Sequence, residues 1–217
     1  LEAGAHLVET DTFGATPIVL AEYGLAEKTL EINRRAAEIA RQACARFDSG
    51  PEPRFVAGSM GPTTKALSVT GGVTFDELLE GYALQARGLL EGGADVLLLE
   101  TVQDTRNAKA GLLGCRRAME ETGIEAPVMV SATIEASGAM LAGQGIEAFY
   151  ASVMHAQLLS VGLNCATGPD LMTSHVRSLS SLAKVFVSCY PNAGLPDEEG
   201  RYPETPGSFA KQLVRFV

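Results

Sequence analysis

Six times along the chain a short apolar run breaks off on a polar or sulfur-bearing residue, and a helix-forming stretch follows. The runs occupy residues 5–10, 54–60, 94–99, 127–133, 158–163 and 184–189. One as continuously apolar as Val96-Leu97-Leu98-Leu99 reads as a strand covered on both faces. Strands alternating with helical patterns predict parallel βαβ units. With 217 residues the chain has room for one α/β domain with a substantial core and not for two, so 1–217 is read as one domain. Two architectures fit six such units: a doubly wound open sheet, or a (β/α)8 TIM barrel short of two units. The Gly-x-Gly-x-x-Gly turn that a dinucleotide-binding sheet carries after its first strand is absent. Periodicity alone goes no further.

The helices have their own punctuation. Thr16-Pro17 is a helix start that runs to Gly24, and a second helix is expected over 25–47. Thr74 with Glu77 forms a capping box before Phe75, Leu78, Leu79, Tyr82, Ala86, Leu89 and Leu90, and Gly92-Gly93 ends that helix. Further helices are expected over 104–121, from Ala148 to Leu158, over 171–182 and after Thr205-Pro206. Residues 2–4 read as a helix tail stopped by Gly4, and 51–53 as a loop.

Lys and Arg number 17 against 26 Asp and Glu, a formal net charge of −9. That balance argues against a nucleic acid or an anionic membrane as partner. No apolar stretch approaches the ~20 residues of a membrane span. The first residues, Leu-Glu-Ala-Gly-Ala-His, form no secretory signal, so a cytoplasmic protein is expected. The first residue is not Met and the last falls within a helical pattern, from which we expect a piece of a longer chain.

Chemistry is expected where the strands end, since α/β folds build sites at the C-terminal edge of the sheet. The ends read Glu9-Thr10-Asp11-Thr12, Ser59, Glu100-Thr101, Thr133, Asn164-Cys165 and Ser188-Cys189. Each hydroxyl either caps the following helix or faces a site. Glu100, directly after the apolar run, needs a donor or a cation, and a bound amine would serve. Cys165 exposes a sulfur before the tight Ala166-Thr167-Gly168-Pro169 turn, as a candidate nucleophile or metal ligand. Cys189 is a weaker candidate, and Cys44 and Cys115 lie in helical patterns as packing residues. No Cys-x-x-Cys pair occurs and no disulfide framework is expected. His6 sits at the wrong end of its strand, and His155 and His175 lie within helices. Zinc takes about four N or S ligands, so spacing alone offers an incomplete set. Neither a Gly-x-Ser-x-Gly elbow nor His-Glu-x-x-His is present.

Taken together, Glu9-Thr10-Asp11-Thr12-Phe13-Gly14-Ala15, Gly61-Pro62-Thr63, Glu100-Thr101 with Asp104-Thr105, Gly162-Leu163-Asn164-Cys165-Ala166 and Tyr190-Pro191-Asn192-Ala193-Gly194-Leu195-Pro196 resemble the homocysteine-binding module of cobalamin-dependent methionine synthase. The resemblance covers nearly the whole chain. It implies a (β/α)8 barrel, incomplete in this chain for want of its first and last strands. It implies zinc held by three thiolates, with Cys165 matching one; the other two belong to an adjacent Cys-Cys pair after the eighth strand. Three thiolates leave a fourth position for the homocysteine sulfur, and Cys165 becomes a ligand, not a nucleophile. Glu100 is implied to receive the substrate ammonium and Asn164 to line the pocket, with Thr10, Asp11 and Thr12 in its wall. Asp11 stands where the family has Asn. The implied reaction is zinc-dependent methyl transfer to the homocysteine thiol, giving methionine. The donor implied is methylcobalamin charged from 5-methyltetrahydrofolate, with cobalamin and folate bound by other modules of the same longer chain. Betaine or S-methylmethionine as donor, or a non-catalytic barrel that has lost its metal, are the alternatives. The isolated piece is expected to be inactive.

Overall fold

The computed structural model describes residues 1–47 and 52–216. The start of the loop expected at Pro51 and the helix expected at Val217 lie outside them. The strands are β1 (Leu7–Glu9), β2 (Phe55–Met60), β3 (Val96–Val102), β4 (Val128–Ala132), β5 (Ser160–Asn164) and β6 (Phe186–Tyr190). Between and after them run α1 (Pro17–Leu20), α2 (Thr29–Ala45), α3 (Phe75–Glu91), α4 (Thr105–Thr122), α5 (Ile146–Val153), α6 (Pro169–Leu182) and α7 (Pro206–Leu213).

All strand pairings are parallel, and the sheet order is β1-β2-β3-β4-β5-β6. This order separates the two architectures left open by periodicity. A doubly wound sheet must reverse direction at a switch point, and here there is no reversal. Right-handed crossovers that always advance the same way place every helix on one face. Accordingly α2, α3, α4, α5, α6 and α7 each pack on the next in chain order. The result is a curled parallel half-barrel whose edge strands, β1 and β6, are not joined among the described residues.

The core lies between sheet and helices. Strand residues that face outward, among them Val56, Leu97, Leu99, Val130, Val161 and Leu163, meet Leu78, Leu89, Phe149, Met172 and Leu179. Close approach of helices is set by glycine: a Cβ on Gly92 would stand 2.3 Å from the Arg34 carbonyl oxygen of α2. The alternate strand residues face the open side, and on β2 to β6 these include Ser59, Glu100, Ser131, Asn164 and Tyr190.

Local differences from the sequence reading have local causes. The capping box forms as expected, with Thr74 Oγ1 accepting from Glu77 N at 3.2 Å and Glu77 Oε2 from Thr74 N at 2.7 Å. Residues before β1 make a turn, not a helix tail; Gly4 N donates to the Leu1 carbonyl at 3.0 Å. The helix expected to reach Leu158 stops at Val153, continues as one 3₁₀ turn, and is broken by Gln157 in the left-handed region. The strand expected to end in Glu100-Thr101 runs on to Val102. No helix among the described residues is long and apolar enough to cross a membrane.

Candidate functional site

The extension of β3 is made possible by an irregularity. Leu99 pairs with Val130, but the next pairing is Val102 with Ala132. Glu100 and Thr101 therefore stand opposite the single Ser131, a β-bulge. Glu100 faces the open side by ordinary alternation after Leu99, and the extra residue resets the alternation so that Val102 turns back into the core. Thr101 absorbs the change by adopting φ 55°, where a β-branched residue is a genuine outlier.

A bulge leaves one backbone N–H without its ladder partner, and a buried orphan is costly. Asn164, at the end of β5, supplies the acceptor. Thr101 N donates to Asn164 Oδ1 at 3.0 Å, and Asn164 Nδ2 donates to Thr101 Oγ1 at 2.7 Å. Both residues are buried. Thr133, at the end of β4, donates its hydroxyl to the Asn164 carbonyl at 3.3 Å.

Immediately beyond Asn164 the chain makes its second departure from ordinary backbone. Cys165 and Ala166 have φ 59° and 55°. Left-handed non-glycine residues cost on the order of 1–3 kcal/mol each and gather at functional sites. The turn presents the Cys165 side chain to solvent. Its backbone is tied down by Cys165 N donating to the Tyr190 carbonyl at 3.4 Å and Thr167 N to the Cys165 carbonyl at 2.6 Å.

Glu100 is buried, with 6 % of its surface exposed. Its Oε1 accepts from the Ser59 hydroxyl, and its Oε2 from the Tyr190 hydroxyl at 3.2 Å. Burial, reinforced by the Glu100 charge, holds the Tyr190 phenol well above its ordinary pKa, so it stays a donor. Water reaches Glu9 on the open side of β1. Even so, the atoms around it, and secondarily the charge of Glu100, raise its carboxyl pKa.

The hydroxyls of Thr10 and Thr12 bond across the sheet to β2 and do not cap helices. Ser59 N donates to Thr10 Oγ1 at 3.0 Å, the Thr10 and Thr12 hydroxyls lie 2.6 Å apart, and Thr12 Oγ1 donates to the Ser59 carbonyl at 2.6 Å. This closed ring fastens the end of β1 to β2. Asp11, between the two threonines, points to solvent. The cap of α1 is Thr16, and that of α4 is Asp104.

Cys189 faces the other way. Its sulfur lies 3.2 Å from Met172 Sδ on α6, and burial raises its pKa to about 12. The exposed His6 pairs with Glu52 at the opposite end of β1 from the site. Among the described residues no group of three His, Cys, Asp or Glu side chains could hold a metal ion. A zinc site needs about four donors, and one exposed thiol, Cys165, is what these strand ends offer. The described residues thus fit one corner of a zinc site and do not make one by themselves. A groove of about 760 Å³ lies far from here, beside the start of β4 and lined by Leu112, Met119, Pro127, Val128 and His155.

The structure brings Glu100, Asn164 and Cys165 to one edge of the sheet and uses Thr10 and Thr12 to fasten it. Sequence reading missed Ser59 and Tyr190 as partners of Glu100, and Thr101 as partner of Asn164. The available signal was two consecutive polar residues, Glu100-Thr101, set between Leu99 and Val102.

A family model described as homocysteine S-methyltransferase matches residues 1–217. Among solved structures, the chain is similar to the homocysteine methyltransferase MmuM from Escherichia coli. The metallated form matches at 24 % identity and TM-score 0.75, over 89 % of this chain and 69 % of that one. The oxidized form matches at 21 % and 0.79, over 99 % and 72 %. The apo form matches at 21 % and 0.71, over 99 % and 81 %. At these identities the likeness to the solved structures is one of fold.

Proposed function

The chain belongs to the homocysteine S-methyltransferase family, and from that premise we propose that its strand ends take homocysteine and convert its thiol to the thioether of methionine. The observation that carries this reading is the placement, on one edge of the sheet, of a buried carboxylate and an exposed thiol. Glu100 is held by two hydroxyl donors and stands next to the bulge residue that is bonded to the Cys165 turn. A carboxylate so placed receives the substrate ammonium by a charge-assisted hydrogen bond. The motif resemblance assigns Asn164 to the pocket lining and Thr10, Asp11 and Thr12 to its outer wall.

In the reaction the homocysteine sulfur attacks the donor's methyl carbon. The S–C bond forms, the bond from methyl to donor breaks with its electron pair going to the donor, and the thiol proton is released. A free thiol has a pKa near 8.5, so little thiolate is present at neutral pH. Zinc, when bound, would supply the missing activation by favouring the thiolate of the bound substrate. Cys165 would contribute one thiolate ligand. The other ligands are proposed to come from outside these 217 residues, which would make the chain a barrel domain of a longer cytoplasmic protein, inactive in isolation. The motif resemblance supports methylcobalamin, recharged from methyltetrahydrofolate on neighbouring modules, as donor.

The test is a pair of serine substitutions in the full-length protein. Cys165→Ser should lower zinc content and abolish methyl transfer to homocysteine. Cys189→Ser, whose sulfur faces Met172, should leave zinc content unchanged. Equal zinc loss in both would show the ligand to be misassigned.

A further inference from the structure

We propose that Asn164 is a positioning residue that works through Thr101, a clasp that sets where Glu100 and Cys165 stand relative to one another. This rests on the proposed function and adds to it a division of labour within the site. The observations are geometric. Glu100 follows the core-facing Leu99 and so faces the open side, and the bulge directly after it, with Thr101 at φ 55°, fixes how the strand ends there. The Thr101 N–H freed by the bulge is bonded to the Asn164 side chain, from a strand that is not its neighbour. Asn164 returns the bond to the Thr101 hydroxyl, so the two side chains close on each other at two points.

Asn164 is also the last residue before the left-handed pair Cys165-Ala166. Its carbonyl is held by Thr133. A second connection runs in parallel: Tyr190 donates its hydroxyl to Glu100 and accepts the Cys165 N–H on its carbonyl. Carboxylate and thiol are thus linked twice, once through Thr101 and Asn164 and once through Tyr190. Three strained residues at two strand ends persist only because surrounding bonds over-determine them. The clasp is the bond pair that joins both strained places. Asn164 is buried and its amide is bonded both ways to Thr101, so its contribution to the substrate passes through the aim of Glu100.

The experiment uses the full-length protein with Thr101→Val, which keeps the β-branched shape and removes the hydroxyl, and Thr101→Ser, which restores the hydroxyl. Two quantities are read: homocysteine affinity by calorimetry, and the alkylation rate of Cys165 by iodoacetamide after chelation, by peptide mass spectrometry. Thr101→Val should weaken homocysteine binding about tenfold, as for one buried amide left without its acceptor. It should raise Cys165 alkylation about threefold, although the substitution lies on another strand. Thr101→Ser should return both to the wild-type values. Asn164→Ala combined with Thr101→Val should bind homocysteine no worse than Asn164→Ala alone, because both cut one connection. Unchanged values for Thr101→Val would overturn the clasp. Weak binding in Asn164→Ala with a silent Thr101→Val would also overturn it, by showing direct contact of Asn164 with substrate. If Asn164→Ala does not fold, the Thr101 pair decides. A wild-type protein that does not bind homocysteine sinks the proposed function, while the alkylation rates still decide the clasp.

Discussion

Gly162 on β5 is where the packing of the site is tightest. A Cβ at this position would stand 2.2 Å from the Ser188 hydroxyl and 2.3 Å from the Ser188 carbonyl oxygen on β6. The hydroxyl can rotate away, but the carbonyl is backbone. To reach ordinary contact at 3.4 Å, β6 must withdraw by about 1 Å. Tyr190 lies two residues further along the same strand and holds Glu100 through a bond of 3.2 Å. A shift of that size takes the bond beyond hydrogen-bonding range. Gly162→Ala should therefore cost about 1–3 kcal/mol by overpacking, seen as a fall in Tm of roughly 2–12 °C, together with weaker homocysteine binding. The comparison is Gly58→Ala on β2, whose Cβ would meet Leu89 Cδ1 at 2.8 Å. There the obstacle is the end of a side chain on the helix face, so stability should fall less and homocysteine binding should persist. Melting curves and calorimetry on both variants read this out. A Gly162→Ala protein that melts like wild type, or survives better than Gly58→Ala, would refute the reasoning.

Asp104 is fully buried and accepts from Ser68 N at 2.7 Å and Arg106 N at 2.8 Å; Asp104→Ala should lose about 1–3 kcal/mol in chemical denaturation. Glu9 has a raised pKa in the folded protein, so the folded state holds its proton more tightly than the unfolded chain. The contribution of this group to stability is complete below the ordinary value of 4.5 and is lost as pH rises through the raised value. Glu9→Gln should remove that part of the slope in denaturation curves measured across this range. Of the four cysteines Cys165 is the exposed one, Cys44 and Cys115 are buried, and burial raises the pKa of Cys115 and Cys189 to about 12. Iodoacetamide on the chelated native protein should label Cys165 first, by peptide mass spectrometry.

Strand and helix alternation, the Thr74 capping box and the exposure of Cys165 were legible in the chain because each depends on neighbours in sequence. The bulge at Glu100-Thr101 was not. Its cause is the register with β4 and a bond to Asn164 63 positions away, and two polar residues after Leu99 read equally well as the end of a strand. Thr10 and Thr12 show the same limit from the other side. Their hydroxyls suggested a cap or a pocket, and the structure spends them on Ser59, 47 residues beyond Thr12. Cys165 and Cys189 look alike at their strand ends. Cys165 lies past the end of β5 in the turn that exposes it, whereas Cys189 lies within β6 and the pleat turns it to Met172.

The most direct measurement is a homocysteine titration of the full-length wild-type protein and its Glu100→Gln variant. Glu100→Gln keeps the shape and an acceptor for Ser59 or Tyr190 while removing the negative charge. Wild type should bind homocysteine, and the variant should bind it more weakly by about 10- to 100-fold, the worth of one charge-assisted hydrogen bond to an ammonium. Equal binding by both proteins would contradict the assignment of these strand ends as the homocysteine site.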